Sequence, residues 1–479
     1  MNFLNHLFPR PARISCQSTL GLLLLLGTAF PAMAAEKAPG KAATWKAGVA
    51  AVSIIPDGQM YMAGYASRTE PADGQASDLF AKALAVEDSK GTRVVMVTTD
   101  LISVPRPLRD WLEGELARKY QLEPQGLLIN CSHTHCGPEL CTTETSLMGK
   151  SPERQKLAKA YLEGLQQKLF ALVGKAIEGM EPANLSYVHS RAAFAMNRRT
   201  IIDGDFRNFP NPNGPTDHDV PVLKVERPDG KLAAVMFGYA CHNTTLGFQK
   251  FCGDYAGFAQ QYLEQANPGT VALFMMGCGG DQNPYPRRTL ELAQQHGRTL
   301  ANAVEAALDT NPRVLEGPLQ AAYGTAVADY AKPPSKEEVV ALSQSTNQYD
   351  KAWGELLLQQ WERDGKLREH YDPPVQVVKF GDGLTLVALP GETVVDYSLR
   401  LKRELGKAED GGNPPAVWVA GYSNDVWAYL PSLRVLQEGG YEGGGAMRYF
   451  TTTVQPGPFS ETIEERIVAK VHELLGKLE

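Results

Sequence analysis

Histidines and carboxylates stand where apolar runs give out, and that placement points to metal-assisted hydrolysis. The run Gly126 to Asn130 leads into Cys131-Ser132-His133-Thr134-His135-Cys136-Gly137-Pro138. Residues two apart in extended chain project to one side, so His133 and His135 can face a single cavity. A second run, Ala233 to Gly238, passes through Tyr239-Ala240-Cys241 into His242 and a polar Asn-Thr-Thr stretch. A third, Val271 to Met276, enters Gly277-Cys278-Gly279-Gly280-Asp281-Gln282-Asn283-Pro284, where glycines let backbone approach a ligand closely. The fourth, Leu384 to Leu389, ends in Pro390-Gly391-Glu392-Thr393. Zinc takes neutral imidazole nitrogen and carboxylate oxygen converging from different segments, with a position left open for water. Each residue also has a plainer reading. An H-x-H pair is common on surfaces and in cores, and Asp281 and Glu392 would equally serve as caps for the helices that follow. Their shared place at strand ends favours the joint reading.

Those strand ends belong to a pattern in which short Val/Leu/Met-rich runs alternate with longer helical periodicity. Arg93 to Thr99 precedes Leu108 to Tyr120, and Gly126 to Asn130 precedes Pro152 to Ile177. Further strands are expected at Leu185 to Ser190, Pro221 to Arg227 and Val375 to Phe380, and another from Ala416 to Tyr422. Asp229-Gly230 and Gly381-Asp382-Gly383 supply the turn chemistry of antiparallel hairpins. The fold class is therefore α/β, with mixed multi-stranded sheets and flanking helices in a single large catalytic domain. A polar helical insertion is expected over 331–371, with Trp353 and Trp361 giving it an apolar side, and an amphipathic helix from Glu461 to Leu475.

Arg10 and Arg13, the apolar run Leu20 to Phe30 and Ala32-Met33-Ala34 read as a secretory signal, residues 1–34, cleaved after Ala34. The remaining 35–479 would be a periplasmic or secreted protein without a transmembrane segment, open to transient contact with a membrane surface. The sequence holds 47 Lys and Arg, two of them in the leader, against 54 Asp and Glu. That acidic balance excludes a nucleic-acid partner as the main ligand. Outside the leader the cysteines are Cys131, Cys136, Cys141, Cys241, Cys252 and Cys278. An oxidising compartment permits them to pair, and they serve equally well as small buried thiols.

From about Ala47 to Tyr449 these segments resemble, in order, the catalytic domain of neutral, non-lysosomal ceramidases, metal-dependent amidases that split an N-acyl sphingoid base. The resemblance implies that the first His of the H-T-H-x-G-P motif, His133, and the later strand-end His242 bind one zinc ion per chain. It adds Glu392 from the P-G-E turn and Tyr429, the last residue of Asn424-Asp425-Val426-Trp427-Ala428-Tyr429. It places His135 beside the metal, and it matches the family's Asn-Arg pair to Asn197-Arg198 and a further active-site tyrosine to Tyr441. Two features depart from the family. No segment matches its C-terminal immunoglobulin-like domain, and Asn283 stands where the family's G-D-x-S-P segment carries an active-site serine.

Asn283 cannot form an acyl intermediate but can orient substrate or an oxyanion. The expected mechanism polarises an acyl carbonyl at zinc and acidifies a water, with Asp281 as base and His135, Tyr441 and Arg198 as donors to substrate or leaving group. The expected substrate is a small-molecule or lipid acyl amide. Two other readings stand beside it: an ester or lactone hydrolase on the same scaffold, and a binding protein without turnover.

Overall fold

The computed structural model describes residues 44–140, 151–407, 414–450 and 453–479. The leader-like stretch through Ala34 and Cys141 lie outside them. Within that span, uninterrupted apolar runs build two sheets that pack face to face. The nine-stranded sheet runs in the order Val271–Met276, Leu232–Tyr239, Asp219–Glu226, Glu181–Arg191, Trp45–Ser53, Phe80–Asp88, Arg93–Thr99 and Leu127–Cys131, with Arg313–Val314 added beside Glu181–Arg191. The second sheet orders Leu319–Thr325, Pro374–Phe380, Leu384–Ala388 and Ala416–Ala420. Both expected hairpins form: Asp219–Glu226 pairs antiparallel with Leu232–Tyr239, and Pro374–Phe380 with Leu384–Ala388.

Alternation along the strands sorts the core into layers. Leu84, Val86, Met96, Leu128, Met236 and Leu273 on one face of the large sheet meet Val378, Phe380, Leu386 and Trp418 of the small one. The opposite face of the large sheet, with Ala83, Val95, Ile129 and Phe237, buries the helices Arg106–Tyr120, Pro152–Glu178, Asp254–Ala266 and Leu290–Leu308. The outer face of the small sheet, with Val377, Val387 and Val419, is covered by Val395–Leu405 and Ile463–Gly476. The result is a helix–sheet–sheet–helix stack. At Gly238 the sheets come so close that a Cβ would lie 2.9 Å from the Trp418 ring, which explains a glycine in mid-strand.

The 331–371 segment contains the helices Lys336–Ser343 and Gln348–Asp364, which pack together around Val339, Leu357, Trp353 and Trp361. Among the described residues no helix is long and apolar enough to cross a membrane. Cys131, Cys136, Cys241, Cys252 and Cys278 are buried free thiols, so the bridge that an exported chain would permit is not drawn among them.

Strand direction then fixes where function sits. Arg93–Thr99 and Leu127–Cys131, Leu232–Tyr239 and Val271–Met276, and Leu384–Ala388 and Ala416–Ala420 are parallel pairs. Their C-terminal ends converge at the junction of the two sheets, where Asn130 bridges to Ser423 and Gly277 to Ala420.

Candidate metal centre

His133 leaves the strand Leu127–Cys131 with a left-handed backbone, φ 58°, uncommon for a residue with a Cβ. The turn is fastened on both sides. Ser132 N–H donates to Thr99 O at 2.8 Å, His135 N–H donates to Asn243 O at 3.3 Å, and Asn243 Nδ2 donates to Ser132 O at 2.6 Å. His133 Nδ1 lies 2.6 Å from the Ile102 carbonyl, and His242 Nδ1 lies 2.6 Å from the Gly279 carbonyl. A carbonyl can only accept, so each ring carries its proton on Nδ1 and turns a bare Nε2 inward.

What those Nε2 atoms face is another acceptor. Glu392 Oε2 lies 3.1 Å from His133 Nε2 and 3.1 Å from His242 Nε2. His135 Nε2 is 3.1 Å from His133 Nε2, and ligating atoms of His133, His135 and His242 all fall within 4.8 Å of one another. Tyr429 sits opposite Glu392 in the short parallel pair that joins the two segments, its hydroxyl 3.4 Å from His242 Nε2. Burial, aided by the Arg198 charge, pushes His242 down to about 4, and burial with its His133 neighbour holds His135 well below the usual histidine range. Burial alone would raise Glu392, but positive charge and hydrogen bonding at the His133 and His242 ring nitrogens outweigh it and keep the carboxyl well below the usual carboxylate range. With each Nδ1 proton directed at a carbonyl, the two Nε2 atoms need a proton or a cation to sit this close to an ionised carboxylate. Acceptors at such distances repel unless a cation lies between them, so the donor set fits a divalent metal.

A cavity of about 370 Å³ opens over this cluster. His133, His135, Glu392, Tyr429 and Tyr441 form its floor and one side, while Met62, Ile102, Leu140, Val426 and Phe450 make much of the remainder apolar. Tyr441 is 39% exposed, its ring edge-on to Tyr429 at 5.4 Å between centroids. In the wall, Arg154 Nε donates to Glu139 Oε2 at 2.6 Å.

Residues 47–350 match the family described as neutral/alkaline non-lysosomal ceramidase, N-terminal. The chain belongs to this family. A ceramidase-family chain is a hydrolase by kind, and the fold agrees. The crystal structure of neutral ceramidase from Pseudomonas aeruginosa superposes with a TM-score of 0.68 at 18% identity, covering 91% of this chain and 75% of that one. A ceramidase complexed with C2 gives 0.68 at 18% identity, covering 90% and 76%.

Within this ceramidase-family site, three residues expected to act on substrate stand behind the cavity wall instead of in it. Arg198 spends its donors on Glu442 Oε1 at 2.8 Å, Asn283 Oδ1 at 3.2 Å and the Tyr429 hydroxyl oxygen at 2.9 Å. Asn283 Oδ1 also accepts from the Thr244 hydroxyl at 3.2 Å, and its amide donates to Asn208 Oδ1 at 3.2 Å. Asp281, expected as the general base, accepts the Val395 N–H at 2.9 Å on one oxygen and Asn197 Nδ2 at 3.0 Å on the other. It therefore caps the helix Val395–Leu405 from a distant loop. Of these three, none lines the cavity.

Other contributors had little or no signal in the sequence. The Ile102 and Gly279 carbonyls have no side chain to read. Glu442, buried against Arg198 and Arg199, looks like any loop carboxylate. Tyr422, whose hydroxyl lies 3.5 Å from Glu392 Oε2, closes the run Ala416 to Tyr422, so the strand-end logic that found His242 reaches it as well.

Proposed function

We propose that this protein is an exported, zinc-dependent hydrolase that cleaves the amide bond of an N-acyl, ceramide-like lipid, with zinc held by His133, His242, Glu392 and Tyr429. The observation that carries the reading is the meeting of two Nδ1-anchored imidazoles and Glu392 Oε2 at 3.1 Å on the floor of a partly apolar cavity. Two nitrogens, a carboxylate and a phenol suit zinc among the common metals. When bound, it supplies Lewis acidity, polarising an acyl carbonyl and acidifying a water.

The chain's own residues do the rest. Met62, Ile102, Leu140, Val426 and Phe450 take up the acyl chain and exclude bulk water from the reacting carbonyl. His135, in the cavity beside His133, is placed to accept the proton released by the attacking water and pass it to the leaving amine. The Tyr441 hydroxyl steadies the developing oxyanion. Arg198 acts through Tyr429, holding its oxygen in place. Asn283 replaces the family's serine, which leaves ester hydrolysis on the same scaffold as a second reading. Export is supported by Arg10, Arg13 and the apolar run ending in Ala32-Met33-Ala34.

The test is metal content by mass spectrometry on the purified mature protein, paired with hydrolysis of a fluorogenic N-acyl sphingosine and a matched ester, for wild type and His242→Ala. The expected result is one zinc per chain, lost in the variant together with amide cleavage. Ester cleavage alone favours the second reading, and a lack of stoichiometric metal overturns the site.

A further inference from the structure

Tyr65 lines two neighbouring hollows. One face of its ring lies 4.9 Å from the His135 ring, beside the catalytic cavity. A second depression of about 480 Å³ adjoins it, walled by Tyr65, Arg68, Glu70, Gly247, Gln249 and Arg288. Its guanidiniums have only neutral partners. Arg68, 7% exposed, donates to the carbonyls of Ala63, His135 and Phe248 and lies 3.9 Å from Cys136 Sγ, while its Nε finds no partner. Arg288 Nη1 donates to the Tyr65 hydroxyl at 3.3 Å. Arg287 stacks over Tyr285, and burial together with the like charge of Arg288 lowers its pKa. Among the described residues Arg68 and Arg288 hydrogen-bond only to neutral groups; Arg68 is nearly buried, whereas Arg288 and Glu70, which both line the depression, are exposed. A nearly buried cation without a counter-charge is costly in an otherwise acidic chain.

The backbone is bent to keep this arrangement. Arg288 holds φ 99°, a left-handed value disfavoured for a side-chain-bearing residue, secured by its N–H to Thr245 O at 2.6 Å. Gly247 makes room, since a Cβ there would lie 2.8 Å from Arg288 Nη1.

We propose that the depression between Tyr65, Arg68 and Arg288 is a subsite for an anionic group, carboxylate or phosphate, carried on the amine side of the substrate. This deepens the amidase reading and rests on it. The acyl chain lies in the apolar cavity, the scissile carbonyl over the metal ligands, and the anion one ring further on, where Arg288 supplies a charge-assisted hydrogen bond. An N-acyl amino acid or a phosphorylated amide then outcompetes a neutral ceramide.

The experiment compares N-dodecanoylglycine, N-dodecanoylethanolamine phosphate and neutral N-dodecanoylglycinamide on the zinc-loaded enzyme, for wild type, Arg288→Gln and Gly247→Ala. Wild type is expected to prefer an anionic substrate by about tenfold or more in kcat/KM. Arg288→Gln should erase that preference by raising KM for the anionic compound, and Gly247→Ala, which displaces the flexible guanidinium, should reduce it, each with a smaller loss on glycinamide. Preference for one anion alone identifies the group. Equal rates on charged and neutral substrates in wild type, or equal losses on both in the variants, overturn the subsite. If wild type cleaves none of these amides, the amidase reading is decided on the fluorogenic N-acyl sphingosine, and calorimetric titration with N-dodecanoylglycine decides the subsite: about tenfold weaker binding in Arg288→Gln upholds it, and unchanged binding overturns it.

Discussion

Asp281 shows how a residue can look catalytic and be architectural. Burial, reinforced by the nearby charges of Asp396 and Glu442, raises its pKa to about 6, while the Val395 N–H and Arg434 pull the other way. A carboxyl whose folded pKa exceeds its unfolded value of 3.8 binds its proton more tightly in the native state. Its contribution to stability is fully present below pH 3.8 and is lost as pH rises through about 6. Asp281→Asn keeps an acceptor for Val395 but cannot ionise. The stability of wild type relative to this variant should therefore fall by about 3 kcal/mol between pH 4 and pH 7. Urea denaturation across that range checks it, and a flat difference would show that the carboxyl is not desolvated. Asn283 is the companion case. Asn283→Ala leaves Arg198 Nη1, the Thr244 hydroxyl and the Asn208 side chain without their shared partner, an expected loss of about 1–3 kcal/mol in denaturant unfolding. Asn283→Ser should show no pre-steady-state burst, because position 283 lies behind the cavity wall.

The elements are locked to one another by side chains as much as by strand pairing. Asn130 Oδ1 accepts from Met276 N–H at 2.8 Å, and its amide donates to Gly421 O at 2.8 Å and to the Ser423 hydroxyl at 3.1 Å. One buried amide thus ties the strand that carries His133 to the opposite edge of its own sheet and to the turn that leads towards Tyr429. Asn130→Ala should cost about 3 kcal/mol or more and weaken metal binding by about tenfold, since it frees ligand-bearing segments that must converge. Denaturant unfolding and a competitive metal titration measure the two effects. The strands that lead to the proposed ligands were legible in the sequence because a strand buried on both faces reads as a continuous apolar run, as Leu127–Cys131 and Leu384–Ala388 do. Trp45–Ser53 and Phe80–Asp88 were not, each holding three alanines, a residue of low strand propensity. The hairpin Ala195–Ile202 with Asp205–Asn211 is largely polar, so only its Asn-Arg pair stood out. That Asp281 caps the helix Val395–Leu405 instead of the helix that follows it in the chain was beyond reach for a different reason: its partner Val395 is 114 positions away, and capping rules read only neighbours.

At the scale of the whole molecule, the site straddles the seam between the two sheets. His133 and His242 extend from strands of the large sheet, whereas Glu392 and Tyr429 lie in segments that follow strands of the small one. Across the seam the ring nitrogens and the carboxylate lie 3.1 Å apart, so a cation among them would draw the two sheets together. Metal binding is therefore folding free energy for the pair of sheets and not only for a loop. A ligand that binds only the native state stabilises it by about 4 kcal/mol at a thousandfold excess over its Kd. Chelation should accordingly lower the unfolding temperature by several degrees, and restoring zinc should reverse the loss. His242→Ala and Glu392→Ala should start near the chelated wild-type temperature and respond little to either treatment. Differential scanning calorimetry of the three proteins, with and without dipicolinate, separates the alternatives. A wild-type transition indifferent to chelator would mean that the seam is closed by protein packing alone, and that the metal ligands serve chemistry without serving the fold.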